Sequence, residues 1–403
     1  MAGPTIDHMV SITVLVAALL LTFGLYNQLL VTAFAYQRNH QVVMKAVDLM
    51  NTICLSPGNP PDWGQTSSAP LGFGLQDPEA AGYTLSPYSI MRLRSSPDSQ
   101  LVYYPKTGSY YNNVSLGLGG SLLMPIGDCV NYTTAASLLG VNGSYGFQLV
   151  IAPTLNISIS QVPASYLILK VEVRGPGLPL GSATLNYYMH QVVANPNSSF
   201  PLIITQSGVA QTDSTGSALL EFPSIDDASD AYSFVVYAHL GGLDGVGYHS
   251  HDVLSGYPQF IVPFIEDFDE GKIIFAHSWD VHNYTQTPVP NVFYNATFLV
   301  LTENFGLRQV QIANSTGQLN YGQGKPYATT QVPASESGIL FISYRWGNRF
   351  GTVMVPWGIG TLGVSATFGG DPSGYSFVAT ELRQVTVNGI SYQVKLAVWR
   401  SED

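Results

Sequence analysis

The residue types best suited to chemistry in this sequence occur together in the run His249-Ser250-His251-Asp252. In an extended chain, side chains two residues apart lie on the same face, so the two imidazoles would lie side by side. With one more ligand they would approach the three-ligand pattern of catalytic zinc sites. Other histidines are available at His239, His277 and His282. The spacing matches no familiar zinc-protease motif, so a metal site on His249 and His251 and a set of polar loop histidines both stay open, and the second is favoured.

The acidic run Glu266–Glu270 offers carboxylate oxygens of the kind that Ca²⁺ prefers. It has neither the spacing nor the glycine of an EF-hand loop, which favours a solvated loop instead. No Gly-x-Ser-x-Gly elbow, phosphate-binding loop or Cys-x-x-Cys pair occurs in the sequence. We therefore expect a protein that is not an enzyme and that binds no cofactor.

The chain contains two cysteines, Cys54 and Cys129. A disulfide between them would join a helical region to a β-rich one, provided that their Cα atoms come within about 7 Å. Two free thiols are an equally good interpretation at this stage.

Eight Asn-x-Ser/Thr sequons occur in the sequence. About three would be expected by chance for so short a motif. Glycosylation would place these segments on an extracytoplasmic surface, whereas unmodified asparagines in turns are the alternative. The candidate acceptors are Asn113, Asn131, Asn142, Asn156, Asn197, Asn283, Asn295 and Asn314.

A membrane segment is the strongest single feature of the sequence. Met9–Tyr26 contains no charged residue, and with Leu29, Leu30 and Val31 it reaches the roughly 20 apolar residues that a spanning helix needs. The residues before it, Met1–His8, include no Lys or Arg, so the pattern does not match a cleaved secretory signal. We expect a retained anchor, with the lipid bilayer as its first partner.

The helical pattern continues beyond the membrane segment. Apolar residues recur at three- and four-residue steps, which predicts one buried stripe on a helix running from about Ile6 to Cys54, roughly 70 Å long. The stripe consists of Val42, Val43, Ala46, Val47, Met50 and Ile53. Inside the anchor, polar or small residues either support self-association between helices in lipid or, at Asn27 and Gln28, mark the edge of the bilayer. These residues are Thr13, Thr22, Gly24, Asn27 and Gln28.

Composition indicates an exported, β-rich body. Only 10% of residues are charged, compared with roughly 25% in an ordinary soluble domain. The net charge of -11 and the pI near 5.0 argue against nucleic acid or an anionic membrane surface as a partner, since both favour basic patches. Arg38 and Lys45 follow the membrane segment, so the positive-inside rule would place the body in the cytoplasm. Long translocated domains are largely insensitive to that rule, and the sequons favour the opposite side.

Three β-rich regions follow the helix region, which covers residues 1–56. The first covers residues 57–160, the second 161–256 and the third 257–403. In the second, Tyr166–Val173 alternates like a half-buried strand and ends at Gly175-Pro176-Gly177. In the third, Asn388-Gly389 between two apolar runs predicts a type I′ hairpin.

The first region resembles archaeal type IV pilin-like proteins in the order of its elements. After the apolar helix come Gly58-Asn59-Pro60-Pro61-Asp62-Trp63-Gly64 and Gly72-Phe73-Gly74-Leu75, and later Leu138-Leu139-Gly140 precedes an aromatic strand at Tyr145–Leu149. The resemblance covers about the first 160 residues and implies a surface subunit held through its N-terminal helix. The chain departs from the family in its short, uncharged start.

The second region is similar to the carboxypeptidase-regulatory, transthyretin-like branch of Ig-like sandwiches. The similarity rests on the turn and strand at Thr212-Asp213-Ser214-Thr215-Gly216-Ser217-Ala218. It implies a sandwich of about 100 residues.

Together these observations predict a mainly β protein, with a long N-terminal transmembrane and amphipathic helix followed by Ig-like β-sandwich modules. We expect a single-pass surface protein, either a pilin-like structural or assembly subunit or a tethered binding or accessory subunit of a surface complex. A membrane-bound, metal-dependent hydrolase is the less favoured alternative. Protein partners or self-association through the helix are expected, and nucleic acid is not.

Overall fold

The computed structural model describes residues 3–94, 101–105, 107–114, 120–226, 228–252, 261–282, 291–320, 328–358 and 362–401. Its α-helices are α1 (Gly3–Leu55), α2 (Pro87–Met91), α3 (Tyr132–Leu138) and α4 (Ser278–His282), and a 3₁₀ turn covers Ile126–Asp128. The strands before residue 225 are β1 (Thr84–Leu85), β2 (Leu93–Arg94), β3 (Val102–Tyr104), β4 (Ser109–Asn113), β5 (Leu123–Pro125), β6 (Val130–Asn131), β7 (Tyr145–Pro153), β8 (Asn156–Val162), β9 (Leu167–Arg174), β10 (Thr184–Val193), β11 (Leu202–Gln211) and β12 (Ser217–Phe222). The strands after it are β13 (Ala231–Leu240), β14 (Leu243–His251), β15 (Ile261–Asp267), β16 (Lys272–His277), β17 (Val292–Leu301), β18 (Leu307–Val310), β19 (Thr316–Leu319), β20 (Ala328–Gln331), β21 (Gly338–Trp346), β22 (Arg349–Trp357), β23 (Ala366–Gly369), β24 (Ala379–Val387) and β25 (Ile390–Arg400).

These strands form five larger sheets and one short parallel pair, β2 with β6. Sheet 1 has the order β1-β24-β25-β7-β23, sheet 2 the order β11-β10-β13-β14, and sheet 3 the order β12-β9-β8. Sheet 4 has the order β20-β16-β15-β5-β4-β3, and sheet 5 the order β18-β17-β21-β22 with β19 also paired to β17. The predicted fold class, a long apolar helix followed by a mainly β body, is confirmed.

Sheet 1 carries the second half of α1, which contacts β24 and β25. The hairpin between these two strands turns at Asn388 and Gly389, whose φ angles are 50° and 78°. Positive φ at both central residues is the geometry of a type I′ turn, and Asn-Gly adopts it readily. The predicted hairpin is therefore formed.

Sheets 2 and 3 face each other and enclose a core of their own, drawn from β9, β10, β12 and β13. The Thr212–Ala218 turn that begins β12 is fixed by Asp213, whose Oδ1 accepts hydrogen bonds from the backbone N–H groups of Thr215 at 2.8 Å and Ser217 at 3.0 Å. Gly216 in this turn has a φ of 75°, which favours glycine. The second region thus folds as a two-sheet sandwich.

Sheet 2 is covered on its other face by sheet 5. Val235 and Tyr237 of β13 belong to the large core that also contains the strands of sheet 5, and the Ser233 hydroxyl lies 2.6 Å from that of Thr352 on β22. This explains why Ala231–Ala238 is buried at every position instead of alternating.

The strands of the first and third regions share sheets, which the predicted boundaries at residues 57–160 and 257–403 did not foresee. In sheet 1, β7 pairs with β25, and in sheet 4, β5 pairs with β15. The two regions are therefore interleaved, with the sandwich inserted between β7 and β23. Alternation along a strand reveals which face is buried but does not reveal which distant strand is its neighbour.

Candidate functional site: helix α1 and its surroundings

The first half of α1 is exposed on all sides. We call Met9–Tyr36 the free segment. Every large hydrophobic side chain in it is exposed, from 37% at Leu30 to 74% at Tyr36. The segment is about 42 Å long at 1.5 Å per residue, which exceeds the roughly 30 Å of a bilayer core. By length and composition, α1 can cross a membrane.

The hydroxyl groups of the free segment are already satisfied within the helix. Thr13, Thr22 and Thr32 each donate a hydrogen bond of 2.8 Å to the backbone carbonyl four residues earlier. Such bonds lower the cost of a hydroxyl in lipid. Asn27 and Gln28 are exposed and lie about 27 Å along the helix from Met9, so their position fits the edge of a bilayer core. Contacts between helices in lipid, the other interpretation of these two amides, also require exposed side chains.

The second half of α1 is docked. We call Val42–Cys54 the docked segment. Its buried side chains follow one helical stripe, and each is at most 2% exposed; they are Val42, Ala46, Leu49, Met50, Ile53 and Cys54. The predicted stripe is thus correct at four of six positions. Val43 and Val47 are not buried, whereas Leu49 is. With 3.6 residues per turn, the buried face shifts slightly around the helix from one turn to the next.

Polar contacts flank the docked stripe. The Arg383 guanidinium donates to Asn51 Oδ1 at 3.3 Å, and that of Arg400 donates to Gln41 Oε1 at 3.4 Å. Both arginines lie on the strands of sheet 1 that the helix contacts. The helix is therefore held by an apolar stripe with hydrogen bonds near both ends.

The segment after α1 is held around Trp63, which is fully buried. Its indole N–H donates to the carbonyl oxygens of Pro57 at 2.9 Å and Gly74 at 3.1 Å. A Cβ at Gly74 would lie 2.1 Å from the carbonyl oxygen of Ser56, so only glycine fits there. The glycine and tryptophan that carried the pilin-like resemblance thus fix how the chain leaves the helix.

The buried Arg92 completes this segment. Its side chain is 1% exposed, lies 5.4 Å from the centre of the Trp63 ring and donates to the carbonyl oxygens of Asp128 at 2.6 Å and Ser68 at 3.0 Å. Burial lowers its pKa, and nearby Asp128 opposes that effect. This role could not be predicted from the sequence, because an isolated arginine is most often a surface residue.

The two histidines of the predicted metal site do lie on one face of β14. The ring of Tyr232 on β13 lies 5.3 Å from that of His251 and 6.1 Å from that of His249. Burial lowers the pKa of His249, and the neighbouring His251 adds to this. Within the described residues, no group of three His, Cys, Asp or Glu side chains is arranged to hold a metal ion.

The other residues proposed for the metal and calcium sites lie elsewhere. His239 contacts the Asp244 carboxylate through Nδ1, and His277 is buried on β16; the His282 side chain lies outside the described part. In the acidic run, Glu266 pairs with Lys272 at 2.8 Å, and Asp269 Oδ2 accepts from the Ser67 hydroxyl at 3.0 Å. These carboxylates thus serve contacts within the protein.

Asp252 is a polar residue whose role the sequence did not reveal. Its carboxylate accepts hydrogen bonds from the backbone N–H of Thr352 at 2.7 Å and the hydroxyl of Tyr344 at 3.0 Å. These bonds join the end of β14 to sheet 5. Burial raises the pKa of Asp252 to about 6, although both hydrogen bonds act in the opposite direction.

No disulfide joins Cys54 and Cys129 in the structure, so the bond considered between them is not formed. Cys54 is buried in the docked stripe and donates to Met50 Sδ at 3.5 Å. Burial raises the pKa of its thiol to about 11. Cys129 donates to the Pro125 carbonyl oxygen at 3.6 Å.

The sequons divide by exposure. Five asparagines have exposed side chains: Asn131, Asn142, Asn156, Asn197 and Asn314. Asn113 and Asn295 are partly buried, and their Nδ2 atoms donate to Ser121 Oγ and to the Pro201 carbonyl oxygen. Asn283 lies outside the described residues. A glycan needs a free Nδ2 atom, so the exposed group remains the candidate set and Asn295 is a poor acceptor.

No family model matches this sequence, and no curated protein matches it with significance. Among solved structures, the chain aligns with human GIVD cytosolic phospholipase A2 at 11% identity and a TM-score of 0.10. The alignment covers 64% of this chain and 31% of that protein, so it spans less than a third of its length. A likeness this weak carries no argument about fold or function, and the functional interpretation therefore depends on the geometry of the chain itself.

Proposed function

We propose that this chain is a non-enzymatic, single-pass membrane protein of the cell surface that serves as a pilin-like structural or assembly subunit. Its β-rich body lies outside the cytoplasm, and the free segment of α1 lies in the bilayer.

The division of α1 into two halves is the observation that carries this proposal. The docked segment buries one stripe against sheet 1, whereas the free segment exposes apolar side chains around its whole circumference. A helix that is apolar on all sides is typical of a membrane span. On insertion scales Leu, Ile, Phe and Val each favour the bilayer by about 0.3–0.6 kcal/mol, so these side chains together favour insertion by roughly 5 kcal/mol. In water the same side chains would stay exposed and this gain in free energy would be lost.

The location of the body rests on different observations. Five sequons present exposed asparagines on the β-rich body, and few charged residues occur in the chain as a whole. The Gly58, Trp63 and Gly74 elements that resemble archaeal type IV pilin-like proteins hold the chain where it leaves the helix. These contacts would keep the helix and the body in one relative orientation, which suits a structural subunit.

Cell fractionation tests the anchor. The full chain should remain with membranes after alkaline carbonate extraction, whereas a variant lacking residues 1–38 should be soluble, because the deletion stops before the docked segment. Labelling then tests the side of the membrane. Asn142→Cys, at an exposed turn, should react with a membrane-impermeant maleimide in intact cells, and reaction only after permeabilisation would contradict the proposal.

A tethered binding or accessory subunit is the second candidate, and one cleft favours it. The β13–β14, β17–β18 and β24–β25 hairpins meet around a cavity of about 370 Å³. Its polar and aromatic lining includes Asp244, Thr302, Glu303, Phe305 and Asn388. Clefts of this size between loops on a rigid scaffold are common ligand sites. Native chain found in purified filaments would favour the structural subunit, and chain found only outside filaments would favour the binding subunit.

A further inference from the structure

Strand β11 forms an open edge of the sandwich. It pairs with β10 at all ten positions, from Leu202 with Val193 to Gln211 with Thr184, without a bulge. Among the described residues β10 is its single strand partner. On the other side of an edge strand, alternate residues present backbone N–H and C=O groups that no neighbouring strand uses. A long, regular edge of this kind is a template for a further strand.

The protections that natural edge strands carry are missing from β11. Such strands are usually short, bulged, or marked by lysine or proline. β11 contains none of these and no charged residue. Its exposed side chains include Leu202 at 43%, Ile204 at 47% and Val209 at 68%. The edge is therefore uncharged and partly apolar as well as open.

The other edges of the sandwich differ from β11. At the far edge of sheet 2, β14 lies against β8, where a Cβ at Gly247 would be 2.5 Å from Ile157 Cγ2. At the edge of sheet 3, β12 has six residues and carries Glu221, which accepts a hydrogen bond from the Tyr166 hydroxyl at 3.0 Å. Of these edges, β11 alone is both long and uncharged.

We propose that β11 is a docking edge for a second copy of this chain, which adds its own β11 in antiparallel orientation about a two-fold axis. The two four-stranded sheets would then form one continuous sheet. An extended backbone can pair in register with the free N–H and C=O groups of such an edge. A second copy also fits the charge of the molecule. The chain carries a net charge of -11, so copies repel each other in general, whereas two β11 strands place no like charges opposite each other.

The symmetry restricts how the two strands can pair. Paired residues share a face of the sheet and successive residues alternate faces, so a two-fold axis must pass through a residue position. Centred on Gln206, the pairing places Ile203 opposite Val209 and Thr205 opposite Ser207. Pairs of β-branched or hydroxyl side chains of this type stabilise antiparallel strands. Centred on Ser207, Thr205 would pair with Val209 instead. Both registers are self-complementary.

Cysteine cross-linking of the full chain in detergent micelles tests the proposal. In a Cys129→Ser background, Gln206→Cys or Ser207→Cys places two thiols next to the axis, and mild oxidation should give a disulfide-linked dimer. The control is Leu219→Cys on β12, which is exposed, at 62%, but lies on the opposite sheet. The control should give little dimer at the same protein concentration.

Val209→Lys should raise the dissociation constant of the noncovalent dimer of the reduced chain about tenfold, because the substitution disrupts two symmetry-related pairs, each contributing a few-fold. Added to the cross-linking variant, it should lower the yield of disulfide-linked dimer. The proposal is overturned if neither axial cysteine gives a dimer, or if Leu219→Cys gives the same yield. Association through α1 alone would produce equal yields at all three positions. The outcome is independent of the proposed anchor, because fractionation with membranes would be unchanged in every one of these variants.

Discussion

Replacing Ile53 by alanine tests whether the docked segment is held by sheet 1. Ile53 is fully buried, and Ile53→Ala removes three carbons from the buried stripe of the docked segment. The lost transfer free energy is about 2.4 kcal/mol at about 0.8 kcal/mol for each carbon. The cavity left against a hydrogen-bonded sheet, which cannot collapse freely, adds about 1 kcal/mol. The better helix propensity of alanine returns about 0.4 kcal/mol. We expect a net loss of about 3 kcal/mol in the free energy of unfolding, within the range found for such substitutions.

Val43→Ala is the matched control for this measurement. Val43 lies on the same helix but is 37% exposed, so its replacement should change the free energy of unfolding by no more than about 0.5 kcal/mol. Denaturant titration of the full chain in detergent, followed by tryptophan fluorescence, measures both variants. A difference between them below about 1 kcal/mol, at an unchanged dependence on denaturant, would refute the docked stripe as we describe it.

Three further predictions follow from individual side chains. Because burial raises the pKa of Asp252 to about 6, above its unfolded value of about 3.9, the folded state binds this proton first as the pH falls. Denaturation at pH 7 and pH 5 should therefore show the wild-type chain gaining stability relative to Asp252→Asn on acidification, and a change in the opposite direction would contradict the assignment. Cys54, with its raised pKa and buried Sγ, should resist maleimide at pH 8 until the protein is denatured; rapid labelling of the native chain would show that the docked segment opens. In a host that glycosylates sequons, peptide mass spectrometry should find glycan at exposed Asn142 and none at Asn295, whose Nδ2 is hydrogen-bonded, and glycan at Asn295 would mean that this contact is absent in the cell.

The sequence predicted those features that depend on local pattern. The extent of α1, its buried stripe near Met50 and the Asn388-Gly389 hairpin all follow from periodicity and turn chemistry within a few residues. The two histidines on one face of β14 follow from the same rule. Each of these predictions was confirmed, because residues close together in the sequence determine the feature.

Features that depend on distant neighbours could not be predicted in this way. The pairing of β7 with β25 joins residues more than 200 positions apart, such as Leu149 and Leu396. The hydrogen bonds of Asp252 to sheet 5 and the carbonyl contacts of Arg92 are also long-range. Nothing in the local sequence of either residue distinguishes it from a solvated side chain, because burial of a charge is decided by which strands meet around it.

The free and docked halves of α1 can be compared directly by spin labelling of the full chain in lipid nanodiscs. Labels at Leu20 and Met44, both exposed on the helix, would report their surroundings through relaxation by oxygen, which concentrates in lipid, and by a polar nickel complex, which stays in water. We predict that the label at Leu20 responds to oxygen and is shielded from nickel, with the reverse at Met44. A label at Leu20 that is as accessible to nickel as the one at Met44 would show that the free segment does not lie in the bilayer.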